Sequence, residues 1–141
     1  MIVPNLIYPM AAMVLLTGGV VLRLYLARVA AIRAGQIDVN FYRLHQGAIE
    51  PESSQKVARH FVNLFEAPTL FYVGCLAAMV AGVVDRGFAG LAWAYVAVRL
   101  VHAFIHLGAN RLRKRRNAYF TGWLVLLALW IYLVVRVATH G

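Results

Sequence analysis

Four long apolar segments are the feature that most constrains the fold of this chain. They cover residues 6–26, 61–84, 88–107 and 119–137, and each is close to the roughly 20 residues that a helix needs to cross a bilayer. Of the 141 residues, 62% are hydrophobic and only 13% are charged, whereas a soluble domain is about half apolar and about a quarter charged. The sequence therefore predicts an all-α integral membrane protein, a single domain over residues 1–141 with four spans and no soluble domain.

The basic residues predict the orientation of the chain. The net charge is +9, from 14 Lys and Arg against 5 Asp and Glu. Ten of the basic residues flank or occupy the connections between spans 1 and 2 and between spans 3 and 4: Arg28, Arg33, Arg43, Lys56, Arg59, Arg111, Arg113, Lys114, Arg115 and Arg116. Because Lys and Arg gather at the cytoplasmic ends of membrane helices, we expect both connections to face the cytoplasm and both termini to lie outside. The same rule accounts for the positive charge without a nucleic-acid partner.

A polar stripe opens the second span. Arg59, Asn63 and Glu66 lie at positions i, i+4 and i+7, within roughly 60° of arc on a helix. Pro68 is expected to kink the span beside Glu66, because proline cannot donate the backbone hydrogen bond to the Leu64 carbonyl. A carboxylate inside a membrane span is by default a functional-site hypothesis. The alternative is an Arg59–Glu66 ion pair that only fixes helix packing.

The third and fourth spans place further polar groups at the same depth, and these are Arg99, His102, His106, Arg115 and Tyr119. Several guanidinium groups beside one amide and one carboxylate suit a small zwitterion with excess negative charge, since arginine binds carboxylates through charge-assisted bonds. Glu66 would then take an ammonium group. If the ligand carries a thiol, a nearby guanidinium lowers the pKa of that thiol from about 8.5 toward neutrality.

A metal site is the competing interpretation of the histidines. His102 and His106 lie four residues apart and, with Glu66 as a third ligand, have residue types that bind zinc. The sequence has no H-E-x-x-H motif, however, and the surrounding arginines disfavour a cation. Interhelical hydrogen bonds explain the two histidines better, so we predict no metal.

These residues together resemble a known family. A chain with four spans and the motif R-x-x-x-N-x-x-E at the start of the second span is similar to the MAPEG family, the membrane-associated proteins in eicosanoid and glutathione metabolism. The spacing in the third and fourth spans resembles its microsomal glutathione transferase and prostaglandin E synthase members, and the short chain resembles its bacterial branch. The residues that carry this second match are Arg99, His102, His106, Arg111, Arg115 and Tyr119.

The resemblance implies a four-helix bundle that assembles as a homotrimer in a bacterial cytoplasmic membrane, with glutathione bound between neighbouring subunits on the cytoplasmic side. It implies catalytic roles for Arg115, which would stabilise the thiolate, and for Tyr119, which would contribute its hydroxyl group. The residues expected to bind or line the glutathione site are Arg59, Asn63, Glu66, Arg99, His102 and His106.

The implied function is that of a membrane-embedded, glutathione-dependent transferase or peroxidase acting on lipophilic electrophiles. The sequence departs from the family pattern at Asp38 and Val62, where that pattern has arginines, at His106, where it has a tyrosine, and at Arg116, where it has a serine. Two cationic contacts are thereby lost. The alternative is a non-catalytic membrane protein that binds a lipid or another small anion in the same basic cavity.

Overall fold

A computed structural model describes residues 5–109 and 111–140. This part of the chain is helical, and four of its helical stretches are long and apolar enough to cross a membrane. In chain order, the helices are α1 (Ile7–Arg33), α2 (Phe41–Leu44), α3 (Glu52–Asn63), α4 (Ala67–Val80), α5 (Arg86–Leu107) and α6 (Leu112–His140). The all-helical fold with four candidate spans confirms the prediction from the apolar segments.

The second span is built from two helices. α3 ends at Asn63 and α4 begins at Ala67, so Leu64, Phe65 and Glu66 are not helical. Pro68 lies in the first turn of α4, where its missing N–H is tolerated. The expected kink is thus a full interruption, and it separates a polar, amphipathic helix from an apolar one.

The helices pack as a bundle around one apolar core. α6 lies along α5 and also contacts α4, while α1 packs against α3 and α5. The most deeply buried side chains of this core include Met13, Phe71, Cys75, Phe88 and Leu129. Only 17% of the apolar window of α1 and 22% of that of α6 is buried within the chain. Hydrocarbon rather than water solvates such wide apolar faces, which is the surface of an integral membrane protein.

The basic segment after α5 is helical, although the predicted spans placed it in the connection between spans 3 and 4. α6 begins at Leu112, so its first turns contain Arg113 and Arg115. Lys and Arg are good helix formers, and nothing between Leu112 and Tyr119 interrupts the helix. As a result, Arg115 and Tyr119 lie one turn apart on the same face of α6.

At the opposite end of the bundle, Asp85 joins α5 to α6. Its carboxylate accepts a hydrogen bond from the Phe88 backbone N–H at 2.9 Å, caps α5, and accepts from the Tyr132 hydroxyl at 2.8 Å. Arg136 forms an ion pair with it at 3.2 Å. The pKa of Asp85 lies below its ordinary value. The hydrogen bond from the Phe88 N–H lowers it most, and Tyr132 and Arg136 lower it further. A Cβ at Gly87 would lie 2.5 Å from the Tyr132 hydroxyl oxygen, so a larger residue there would displace the Tyr132 side chain.

Candidate functional site

A cavity of about 590 Å³ opens at the end of the bundle where α3 and α5 finish and α6 begins. Six of the eight predicted site residues line it, together with three further residues of α3 and α6. Pockets for small molecules have volumes of about 300–1,000 Å³, so the cavity has the size of a metabolite site. Its lining consists of Arg59, Val62, Asn63, His102, His106, Leu112, Arg115, Arg116 and Tyr119.

The lining of this cavity carries positive charge. Arg59, Arg115 and Arg116 contribute three guanidinium groups, and none of the described lining residues is acidic. Arg116 stands where the family pattern has serine, so it adds a cation to the site. The Asn63 amide and the Tyr119 hydroxyl supply neutral hydrogen-bonding groups. Such a set is suited to an anion with several acceptor oxygens.

Arg99 lies behind the cavity and is only 1% exposed. Its Nη2 donates a hydrogen bond to the Asn63 carbonyl oxygen at 3.1 Å. That carbonyl belongs to the last residue of α3, and the final carbonyls of a helix have no partner within the helix. One buried guanidinium therefore connects the interruption of the second span to the cavity.

Glu66 does not line the cavity. Its side chain is exposed on the surface of the single chain, at the interruption between α3 and α4. In the part of the chain that the structure describes, Glu66 takes part in no ion pair. The ion pairs there join Glu50 to Arg28 and Asp85 to Arg136. The Arg59–Glu66 packing pair considered from the sequence is thus not formed within one chain.

Sequence reasoning missed His60. Its ring lies 5.3 Å from that of His102 and 4.9 Å from that of His106, measured between centroids, and all three side chains are buried. Both ring nitrogens of His60 lack a hydrogen-bond partner. The available signal was the spacing of Ser54, Val57 and His60 at i, i+3 and i+6, which are the buried residues of α3.

The structure also locates the remaining candidates. Asp38 is exposed in the α1–α2 connection and accepts a hydrogen bond from the Asn40 backbone N–H at 2.7 Å. Val62 is 57% exposed and forms part of the cavity rim. Over residues 5–109 and 111–139, no three His, Cys, Asp or Glu side chains are arranged to hold a metal ion.

Fold and site together define the class of protein: an integral membrane bundle of four spanning helices with a cation-lined small-molecule cavity at one end. A model of the MAPEG family matches residues 6–135, nearly the whole chain, and the chain therefore belongs to the MAPEG family. Members of this family generally use glutathione as a substrate or cofactor. Searches of curated proteins and of solved structures found no match.

Proposed function

We propose that this protein is a glutathione-dependent transferase or peroxidase that acts on lipophilic electrophiles within the membrane. The observation that carries the proposal is that one cavity is lined by three guanidinium groups, one amide and one phenol, with no carboxylate among its described lining residues. Glutathione has two carboxylates, one ammonium group and a thiol, and it gains a further negative charge when the thiol ionises. The cavity offers a matching excess of positive charge.

The proposed roles follow from position. Arg115 stabilises the glutathione thiolate, because a guanidinium beside a thiol favours its ionised form. Tyr119, one turn further along α6, donates a hydrogen bond to the same sulfur. Arg59 and Asn63 hold the carboxylates of glutathione, and His102 and His106 bind its amide groups from the α5 side of the cavity.

Arg99 and Glu66 have indirect or shared roles in this proposal. Arg99 fixes the Asn63 backbone and adds positive potential from behind the cavity. Glu66 binds the glutathione ammonium group in a site that a neighbouring subunit completes, within a homotrimer. The support is its exposure at the interruption of a membrane span, where an uncovered carboxylate is expensive.

The proposed location is a bacterial cytoplasmic membrane, with the cavity and both basic connections on the cytoplasmic side and both termini outside. The support is the distribution of Lys and Arg along the chain. Glutathione in the cytoplasm would then enter from the water, and the electrophile from the bilayer.

The test uses purified protein in detergent. Glutathione binding is measured by calorimetry, and turnover is measured with a chlorodinitrobenzene-type electrophile. Arg115→Ala should lower kcat by about 10²–10³-fold, the typical loss when one preorganised donor to a developing anion is removed. Arg113→Ala is the matched control, because Arg113 is exposed on the same turn of α6 and does not line the cavity. Absence of glutathione binding, with turnover no higher than in Arg115→Ala, would overturn the proposal.

The second candidate function is non-catalytic binding of a lipid or another small anion in the same cavity. It is supported by Val62 and Leu112, which are 57% and 68% exposed at the cavity, and by Asp38 in place of an arginine of the family pattern. A lipid head group that copurifies with the protein and is not displaced by millimolar glutathione would favour this function. Competitive displacement by glutathione would count against it.

A further inference from the structure

A separate cavity of about 360 Å³ lies at the connection between α5 and α6. Its described lining shares no residue with the glutathione cavity, and consists of Phe104, Ile105, Gly108, Ala109, Arg111 and Lys114. On α5, Phe104 is two positions from His102, which places it roughly 200° around the helix axis and away from the glutathione cavity. Phe104 is 85% exposed, so this cavity opens on the outside of the chain.

The lining of this cavity is apolar beside α5 and cationic beyond the end of that helix. Phe104 and Ile105 belong to the last turn of a spanning helix and form an apolar wall. Arg111 and Lys114 lie beyond the end of that helix and form a cationic rim, and both side chains are exposed. Gly108 and Ala109 between them are small, which leaves the space open.

The backbone at the end of α5 is held in place. Arg23 of α1 donates a hydrogen bond to the Leu107 carbonyl oxygen at 3.0 Å, and Lys56 of α3 donates to the Gly108 carbonyl oxygen at 3.4 Å. A Cβ at Gly108 would lie 2.9 Å from the Phe104 carbonyl oxygen, so a larger residue does not fit there. The floor of the cavity is therefore formed by the fold itself and does not depend on a ligand.

We propose that this cavity binds one anionic phospholipid from the adjoining leaflet. An acyl chain lies against Phe104 and Ile105, and the phosphodiester lies between the Arg111 guanidinium and the Lys114 ammonium group. Basic pockets at the ends of membrane helices recognise lipid head groups in this way. A soluble anion would leave the apolar wall uncovered, whereas a phospholipid covers the wall and neutralises the rim. An anionic head group is preferred to a zwitterionic one because no described lining residue is acidic.

The experiment measures lipid binding to purified protein in detergent by native mass spectrometry, with phosphatidylglycerol, phosphatidylcholine and inorganic phosphate as probes. Phosphatidylglycerol should bind most tightly. Lys114→Gln should weaken its binding about fivefold, the equivalent of one cation near a membrane surface. Arg113→Gln removes the same charge from the same turn without touching the cavity, and should leave binding unchanged. Phe104→Ala should weaken phosphatidylglycerol and phosphatidylcholine alike.

Equal losses in Lys114→Gln and Arg113→Gln would overturn the proposal, since they would show attraction to the overall charge of the turn. Displacement of phosphatidylglycerol by an equal concentration of inorganic phosphate would also overturn it, because it would identify a site for a free anion. Lipid binding is read without glutathione or an electrophile, so its outcome is independent of the proposed enzymatic function.

Discussion

Replacing Arg99 by methionine separates what this side chain does for folding from what it does for a ligand. Its hydrogen bond to the Asn63 carbonyl involves a charged donor, and losing such a bond costs about 1.5–3 kcal/mol. Against this, Arg99 is 1% exposed and has no carboxylate within ion-pair distance among the described residues. Burying an unpaired charge costs several kcal/mol, and an apolar replacement is often neutral or stabilising. We expect Arg99→Met to leave the free energy of unfolding unchanged or to raise it by up to about 2 kcal/mol.

The effect on ligand binding should have the opposite sign. A ligand carboxylate held about 8 Å from the guanidinium, at an effective dielectric constant of about 20, loses about 2 kcal/mol when the charge is removed. Glutathione binding should then weaken about 30-fold. Arg99→Lys is the control. Lysine retains the positive charge but lacks the planar set of guanidinium N–H donors, so this variant should bind glutathione more tightly than Arg99→Met and more weakly than the unchanged protein.

Thermal unfolding in detergent and calorimetric titration with glutathione measure the two effects on the same samples. A large drop in melting temperature with unchanged glutathione affinity would refute the reasoning. Arg99 would then serve only to hold the end of α3.

Three further predictions test other parts of the structure by thermal unfolding. Asp85 has a pKa below its ordinary 3.8, so its stabilising contribution is present above the unfolded-state value and is lost as the pH falls through the lowered pKa. The melting temperature should therefore fall as the pH drops below the unfolded-state value and through the lowered pKa, and an equally steep fall in Asp85→Asn would contradict this. His60→Phe removes two buried nitrogens without partners and should raise the free energy of unfolding by about 1 kcal/mol; a destabilised variant would instead reveal a bound water or partner. Gly74→Ala brings a methyl group to 3.0 Å from Leu129 Cδ2, and overpacking of about 1–3 kcal/mol should outweigh the helix-propensity gain of about 1 kcal/mol. Gly90→Ala, with no atom within 4 Å of its new Cβ, should be stabilised, and a ranking with Gly74→Ala above it would contradict the observed packing.

The apolar segments predicted the membrane class and the four helical spans because the bilayer imposes the same length and composition on every spanning helix. Pro68 marked the interruption of the second span, since the missing N–H acts locally. These features depend on short stretches of sequence. For that reason they could be read from one chain.

The orientation of Glu66 could not be predicted in the same way. Arg59 and Glu66 would lie on the same helix face only if the helix were continuous. Because Leu64 to Glu66 are not helical, the side chain of Glu66 takes a different direction. Arg59 and Asn63, which lie in the same unbroken helix, do line one cavity.

The contacts that buried residues make with neighbouring helices could not be predicted from the sequence either. Periodicity shows which residues share a face of one helix, but not which face meets a neighbouring helix. The contact between Arg99 and the Asn63 carbonyl, and the approach of His60 to His102, depend on how α3 and α5 pack. Neither follows from spacing along the chain.

The second span is divided into a polar helix, α3, which suits water, and an apolar helix, α4, which suits hydrocarbon. The boundary between the two media therefore lies near the interruption of this span. The cavity adjoins that boundary, and its lining combines guanidinium groups with the exposed apolar side chains of Val62 and Leu112. In the proposed function, glutathione reaches this boundary from water and the electrophile reaches it from hydrocarbon, and neither has to leave its own medium. The slow and costly transfer of either one across the interface is thereby avoided.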